Sequence, residues 1–560
     1  MFSWVKKLKI YFFDNLNSIL FLSIFNFILF CIHRNYNTIS SLRKLNDFLF
    51  IISVFSLLYF FLYIFNHKIK NILSKFILFS FSFLFLIEMF LFYNFQSIIS
   101  LKFIQIFYET NTKETIEFLE TYLIIPNILF IFFTIFILFF IYFNLNFILK
   151  KLININKISD KKFLFILSLL LFFFFHDLFK DSYEKNMAKF DYCRIYMLMK
   201  ENKKNIDIYK NLSNILEKTN VSILKNNSII ENIVVILGES TAKNHMSLYN
   251  YQHKTTPLLD SLKEKGNLFI FNDVISSHSQ TLPSVKKMFS FLSYENENRK
   301  EWYEYENLLN IIKKAGYKTF WYSNQETFGK YGNITAALAS LSSHSFFNDP
   351  FSENKDSFDN DLIALFLNTF EHNKSKKNFI VFHLMGAHAT YKERYPDSFK
   401  YFNSKDYSFN IKSNYNKRIV EYDNAILYND FVVTNIINLF KNKEAIIIYV
   451  PDHGEEILEF REFYGHADTN YSKYMLEIPF LIFVSDKLKN SNPILIKNIK
   501  NSLNNPYMTD DFIHTILDIA NISTTDFDET RSIINPNFNK NRKRILIDGK
   551  DYDSDLKNNL

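Results

Sequence analysis

The 560-residue sequence predicts an all-α polytopic membrane domain followed by an α/β domain with a central, mostly parallel sheet. Two observations carry that prediction. The first third holds five long apolar runs, rich in the chain's 66 phenylalanines. From residue 231 onward, short β-rich runs alternate with longer runs of helical spacing, the pattern of a parallel sheet covered by helices. The expected boundaries are residues 1–180 for the membrane domain, 181–230 for a linker with helical segments, and 231–560 for the α/β domain.

The apolar runs lie near residues 16–32, 48–65, 76–93, 124–143 and 163–178. Each approaches or reaches the roughly 17–25 residues that a helix needs to cross a bilayer. A cleaved signal peptide would lead into soluble sequence, but the first run here leads into four more. Lysine placement sets the expected orientation. Lys6, Lys7 and Lys9 precede the first helix, Lys68, Lys70 and Lys75 follow the second, and Lys150, Lys151, Lys157, Lys161 and Lys162 follow the fourth. These segments are expected in the cytoplasm. The loop after the third helix is acidic, with Glu109, Glu114, Glu117 and Glu120, which suits the outer side. Arg34, Arg43 and Lys44 in the first outer loop run against this scheme. An odd number of helices then places the α/β domain outside the cytoplasm.

Residues 95–122 carry Phe103, Ile106, Phe107, Ile116 and Phe118 at helical spacing and are expected to lie along the membrane surface. Residues 180–230 are Lys/Asn-rich, with Ile206, Ile208, Leu212 and Ile215 marking a helical stretch. Cys31 and Cys193 sit in the first helix and the linker, so the α/β domain has no disulfide. The net charge of +7 is concentrated in the cytoplasmic lysines and argues for topology; nucleic acid is not an expected partner.

In the α/β domain, strands are expected at 232–238, 268–275, 317–323, 378–384, 445–451 and 478–484, with helices at 303–315, 360–371, 417–441 and 508–520. Ligands of such sheets gather beyond the carboxyl ends of the parallel strands. Three strands end on chemistry. The first runs into Glu239; the fifth ends at Asp452-His453-Gly454-Glu455; the fourth ends at His383 and leads to Gly386 and His388. His466 follows in a glycine turn. Glutamate, aspartate and histidine make a zinc-type ligand set. Thr281, two residues before Pro283, falls at the expected start of a helix, where backbone N–H groups and the helix dipole favour a phosphoryl group.

Taken together, these motifs resemble a family. Gly-Glu-Ser240, Tyr249-Asn-Tyr251 with Thr256-Pro257, Thr281 with Ser284 and Met288-Phe289-Ser290, His383-x-Met-Gly-x-His388, Tyr422-Asp423-Asn424, Asp452-His453-Gly-Glu and Gly465-His466 follow in order. They are similar to the phosphoethanolamine transferases of the alkaline phosphatase and sulfatase superfamily, bacterial inner-membrane enzymes with five transmembrane helices and a periplasmic catalytic domain. The resemblance covers nearly the whole chain. It implies that Glu239, Thr281, Asp452 and His453 surround a Zn2+ ion, with Thr281 as nucleophile. It further implies that His388 and His466 bind phosphate or a second metal, with His383, Asn324 and Lys330 as further substrate-site candidates. Glu114 resembles the loop carboxylate that receives the lipid's ammonium, although an Asn that often precedes it is Ile106 here. The colistin-resistance members, which modify lipid A, carry a disulfide around the nucleophile. Those positions are Ser277 and Lys287 here. The segment Trp321-Tyr-Ser-Asn324-Gln325 resembles the branch that modifies core sugars and other acceptors.

The implied reaction is transfer of phosphoethanolamine from phosphatidylethanolamine, through the threonine, to lipid A, a lipopolysaccharide or lipooligosaccharide core or an exported protein, by a membrane-embedded monomer. The alternative of the same fold is a phosphoglycerol transferase using phosphatidylglycerol, for which a carboxylate at Glu114 would be idle. A sulfatase is disfavoured because threonine cannot become the aldehyde residue and Val285 stands in place of the motif's arginine. A non-catalytic sensor on an enzyme fold is the remaining class.

Overall fold

The structure, a computed structural model, describes residues 2–34, 41–95, 97–101, 103–104, 107, 115, 118–119, 122–123, 125–153, 157–325, 334–348, 357–407 and 413–557. It divides into two compact units, residues 1–108 with 118–205 and residues 109–117 with 206–560.

The first unit contains α1 (Leu16–Arg34), α2 (Ser41–Leu62), α3 (His67–Phe95), α4 (Ile125–Leu152) and α5 (Asp160–Lys180). All five are long and apolar enough to cross a membrane, with mean hydropathy between 2.0 and 2.7 over the spanning windows. Phenylalanines fill the gaps between them: Phe25 packs its ring 4.6 Å from those of Phe21 and Phe85. On α4, Phe132, Phe136, Phe139 and Phe143 remain at least 60% exposed, an apolar face of the kind that suits lipid.

A buried polar cluster interrupts this apolar packing. Asp47 on α2, Asp177 on α5 and Asp181 just beyond it bring carboxylate oxygens close enough to share a cation. The Lys189 ammonium fills that place, 2.9, 2.5 and 3.1 Å from the three carboxylates and fully buried.

The second unit is built on a seven-stranded sheet. Its strands are β1 (Asn232–Gly238), β2 (Leu268–Phe271), β3 (Lys318–Ser323), β4 (His344–Phe347), β5 (Asn378–His383), β6 (Ala445–Pro451) and β7 (Phe480–Val484). The spatial order is β2-β7-β6-β1-β5-β3-β4. All pairs are parallel except those that β7 makes with β2 and β6. The central strands are wholly buried, as their unbroken Val/Ile/Phe runs require.

Alternate residues feed two cores. Ile233, Val235, Val381 and Ile448 pack on one face and Val234, Ile236, Ile380 and Ile447 on the other. The covering helices include α6 (Pro257–Glu264), α7 (Thr281–Phe289), α8 (Asp361–Asn373), α9 (Ser413–Phe440) and α10 (Phe512–Ala520).

Strand β4 is not among the expected strands, and three further details differ from expectation. The run 268–275 is split at Asn272-Asp273, and its second half, Val274–Ile275, pairs with Tyr507–Met508 in a separate two-stranded sheet. Asp273 is occupied by Arg544 at 2.8 Å and Lys557 at 2.6 Å, so the break serves a half-buried ion cluster. The expected helix at 303–315 becomes a turn at Trp302–Glu304 and a helix at Leu308–Lys314, because the Asn307 side chain accepts from the Asn310 N–H and caps the helix there. The linker ends in a strand, Ile223–Asn226, that pairs antiparallel with Ile522–Thr524.

Candidate active site

Register decides where the chemistry emerges. In β1 and its two parallel neighbours, Leu237 lies opposite His383 and Val450, and Gly238 opposite Pro451. The residues that follow, Glu239, Leu384 and Asp452, therefore leave the sheet at one edge. Backbone bonds hold the three exits together: Leu384 donates to Leu237 O at 2.9 Å, Asp452 to Gly238 O at 3.1 Å and Ala387 to Glu239 O at 3.1 Å. Gly386 has φ 54°, and a Cβ there would lie 2.5 Å from Glu239 O. Only glycine fits the close approach between the two loops.

Thr281 is the first residue of α7, after an extended Gln280. Its Oγ1 lies 3.1 Å from Glu239 Oε2 and 3.4 Å from His453 Nε2. His453 Nε2 is also 3.2 Å from Glu239 Oε1 and 3.5 Å from Asp452 Oδ2. The structure thus gathers Glu239, Thr281, Asp452 and His453 from two strand ends and one helix start.

The donor set fits a divalent cation. Glu239, Asp452 and His453 each turn one ligand atom to a common point, all within 4.8 Å of one another and all buried. His453 Nδ1 is bonded to Gly454 O at 2.7 Å, which leaves Nε2 as the atom facing the carboxylates. Asp452 Oδ2 is buried without any hydrogen-bond partner. A buried carboxylate oxygen left unpaired is costly unless a cation takes it.

The local fields agree. Burial opposes charge on His453, but Asp452 and Glu239 outweigh it and raise the imidazole to about 10. Burial and the Glu239 charge push the Asp452 carboxyl well up. Burial would raise Glu239 too, yet His453 and the other imidazoles hold it well below its usual range.

His388 and His466 reach the same place. The His466 ring centroid is 4.1 Å from that of His453 and 6.3 Å from that of His388. His466 Nδ1 is bonded to Glu455 Oε2 at 2.6 Å, and Tyr391 donates to Glu455 Oε1 at 2.6 Å. Glu455 therefore orients His466, a part that the Asp-His-Gly-Glu motif contained but that its spacing alone did not assign. Burial lowers His388 to about 3, and its Nδ1 has no partner. His383 points elsewhere, bonding Ser323 Oγ at 3.1 Å, and burial lowers it to about 4.

The structure also exchanges two neighbours. Asn324 donates to Asp359 Oδ1 at 2.9 Å and accepts from Ser357 at 2.8 Å, while Asp359 accepts the Met385 and Gly386 N–H groups. Asn324 thus braces the His388 loop, whereas the adjacent Gln325 donates to Glu239 Oε2 at 3.3 Å. The Tyr422-Asp423 motif has a bracing part as well. Tyr422 OH donates to Ser240 O at 2.7 Å and accepts from Ala242 N at 2.9 Å. Asp423 accepts from Tyr251, Tyr407 and His245. Lys330 and Glu114 lie outside the described residues. Cys31 and Cys193 are free thiols, and Lys287 pairs with Glu297 at 2.8 Å.

Comparison with known proteins places the chain. The family model described as Sulfatase matches residues 231–522. The chain belongs to the sulfatase family. Among curated relatives, the phosphoethanolamine transferase EptC of Escherichia coli strain K12 is 31% identical over 332 residues. That match spans 56% of this chain and 56% of the relative, so it covers little more than half the length of either protein. Among solved structures, the C-terminal periplasmic domain of E. coli EptC in complex with Zn is 29% identical, with TM-score 0.55, covering 60% of this chain and 96% of that one. The integral membrane lipooligosaccharide phosphoethanolamine transferase A of Neisseria meningitidis is 18% identical, with TM-score 0.60, and covers 92% of this chain and 97% of that one, a likeness of fold spanning both units.

Proposed function

We propose that this protein transfers phosphoethanolamine from phosphatidylethanolamine to a cell-envelope acceptor, either lipid A, a lipooligosaccharide core or an exported protein. The observation that carries the reading is Thr281 Oγ1 at the start of α7, 3.1 Å from Glu239 and 3.4 Å from His453, beside the unpaired Asp452 oxygen. The five apolar helices support a lipid donor, and the relatives carry the transferase name. The α/β unit is then periplasmic and the chain an inner-membrane protein.

Glu239, Asp452, His453 and Thr281 would hold a zinc ion. When bound, it would supply Lewis acidity, lowering the pKa of a hydroxyl and offsetting charge on phosphoryl oxygens. The protein's own groups do the rest. Thr281 Oγ1 attacks phosphorus, forming a P–O bond as the bond to diacylglycerol oxygen breaks and diacylglycerol leaves as the alcohol. Glu239 Oε2, already accepting the Thr281 hydroxyl, fixes the direction of its lone pairs. The positive end of α7 and the His388 and His466 imidazoles face the phosphoryl group. The acceptor hydroxyl then attacks the same phosphorus and releases Thr281.

Intact-mass spectrometry of the full-length protein incubated with phosphatidylethanolamine tests this. A phosphoethanolamine increment that maps to Thr281 and is absent from Thr281→Ala is expected. A phosphoglycerol increment from phosphatidylglycerol alone would replace the reading with its sister chemistry, and no adduct from any lipid would overturn both.

A further inference from the structure

Asp468 sits two residues beyond His466, 5% exposed, and reaches across to the segment that carries Thr281. Its Oδ1 accepts both the Ser279 N–H at 2.9 Å and the Ser279 hydroxyl at 3.0 Å. Its Oδ2 lies 3.0 Å from His278 Nδ1. Ser279 is fully buried. Bonds inside the same loop stiffen it: Ser276 and Ser284 donate their hydroxyls to His278 O at 2.7 and 3.1 Å, so the turn before α7 is closed upon itself. Ser276 N–H donates to Leu476 O at 2.8 Å and Ser277 N–H to Thr509 Oγ1 at 3.1 Å, which ties the start of the loop to the protein body. Between Ser277 and Thr281, the Ser279 N–H goes to the Asp468 side chain.

We infer that Asp468 is a positioning residue that sets the distance and angle between Thr281 and His466. The inference rests on the transferase reading for the roles of those two groups. One carboxylate binds the chain two residues before the nucleophile, and the same backbone segment carries the imidazole two residues earlier. Glu455 fixes the His466 ring from its other side. Loss of the carboxylate would leave the buried Ser279 N–H without an acceptor and free the loop to shift. A shift of about 1 Å at a nucleophile costs on the order of 100-fold in rate. The metal-type cluster would stay intact, because Glu239, Asp452 and His453 are held by the strand ends.

The test compares wild type, Asp468→Ala and the near-isosteric Asp468→Asn as full-length proteins with phosphatidylethanolamine. Adduct formation on Thr281 is timed by intact mass, alongside zinc content, melting temperature and hydrogen exchange of residues 276–282. Asp468→Ala should slow adduct formation by about 100-fold with KM for the lipid unchanged within about 2-fold, zinc retained, melting temperature lowered by only a few degrees and exchange at 276–282 increased. Asp468→Asn, which keeps an acceptor for Ser279, should recover part of the rate. Wild-type rates in both variants would overturn the inference, and so would a rate lost in step with zinc and melting temperature. If wild type takes no adduct from any lipid, the transferase reading fails; hydrogen exchange then decides the anchoring, and unchanged protection in Asp468→Ala overturns it.

Discussion

Two buried acidic clusters in this molecule look alike in composition and differ in what satisfies them. In the helical unit, Asp47, Asp177 and Asp181 close around the Lys189 ammonium, so the cation is part of the chain. In the α/β unit, Glu239 and Asp452 face His453 and the Thr281 hydroxyl, and one Asp452 oxygen has no hydrogen-bond partner. The first is finished by folding alone. The second has donors to spare, as a site that must accept a cation and a substrate does. A list of acidic residues close in space does not separate the two; the presence of an internal cation does.

The largest effect should come from removing the reacting group. Thr281→Ala should lower transfer by about 10,000-fold or more while zinc content stays near that of wild type, since three ligand residues remain. Retained activity, measured as phosphoethanolamine incorporation into the acceptor, would remove Thr281 from its role. The internal cation gives the next largest effect, on stability. Lys189→Met removes the ammonium that the three carboxylates share, and loss of one member of a buried ion cluster costs about 3–5 kcal/mol. Thermal unfolding in detergent should show that loss equally with and without zinc. The site should behave the opposite way. Zinc at about 100 times its dissociation constant should stabilise wild type by about 2.7 kcal/mol. That gain should vanish in Asp452→Ala. A zinc response in Asp452→Ala equal to that of wild type would collapse the distinction between the clusters.

How much of this contrast was readable from sequence follows from the range of the interactions. The central strands were legible because Ile233 to Leu237 and Ala445 to Val450 are unbroken buried runs, and their ends carry Glu239 and Asp452 directly. Strand β4 was not, because its four residues are half exposed and carry no run. The strand Ile223–Asn226 is hidden in the same way, since three of its four residues are exposed and it exists only by pairing with Ile522–Thr524. Gln325, Glu455 and Asp468 act through partners 86, 11 and 189 residues away, and no local pattern names such a partner. The Lys189 cluster gathers residues from the second and fifth apolar helices and the segment beyond, which only the packing of those helices brings together.

A third buried pair tests the comparison at its weakest point, because its internal cation can be titrated away. His245 Nδ1 lies 2.6 Å from Asp423 Oδ1, and its Nε2 lies 3.5 Å from Glu459. Burial opposes the imidazolium, but Asp423 and then Glu459 outweigh it and raise His245 to about 9. A histidine raised on folding binds its proton more tightly in the native state, so its contribution is complete below the unfolded value near 6.5 and fades as pH rises through about 9. Wild type should therefore lose on the order of 2–3 kcal/mol between pH 6.5 and 9 relative to His245→Gln, whose amide keeps a neutral bond to Asp423. The readout is the difference between the two unfolding curves across that window, which cancels the other titrations. Lys189 should show no such fading, because an ammonium held by three carboxylates stays charged throughout the range. A flat difference for His245 would mean that this pair is held as a neutral hydrogen bond and, unlike the Lys189 cluster, holds no internal cation.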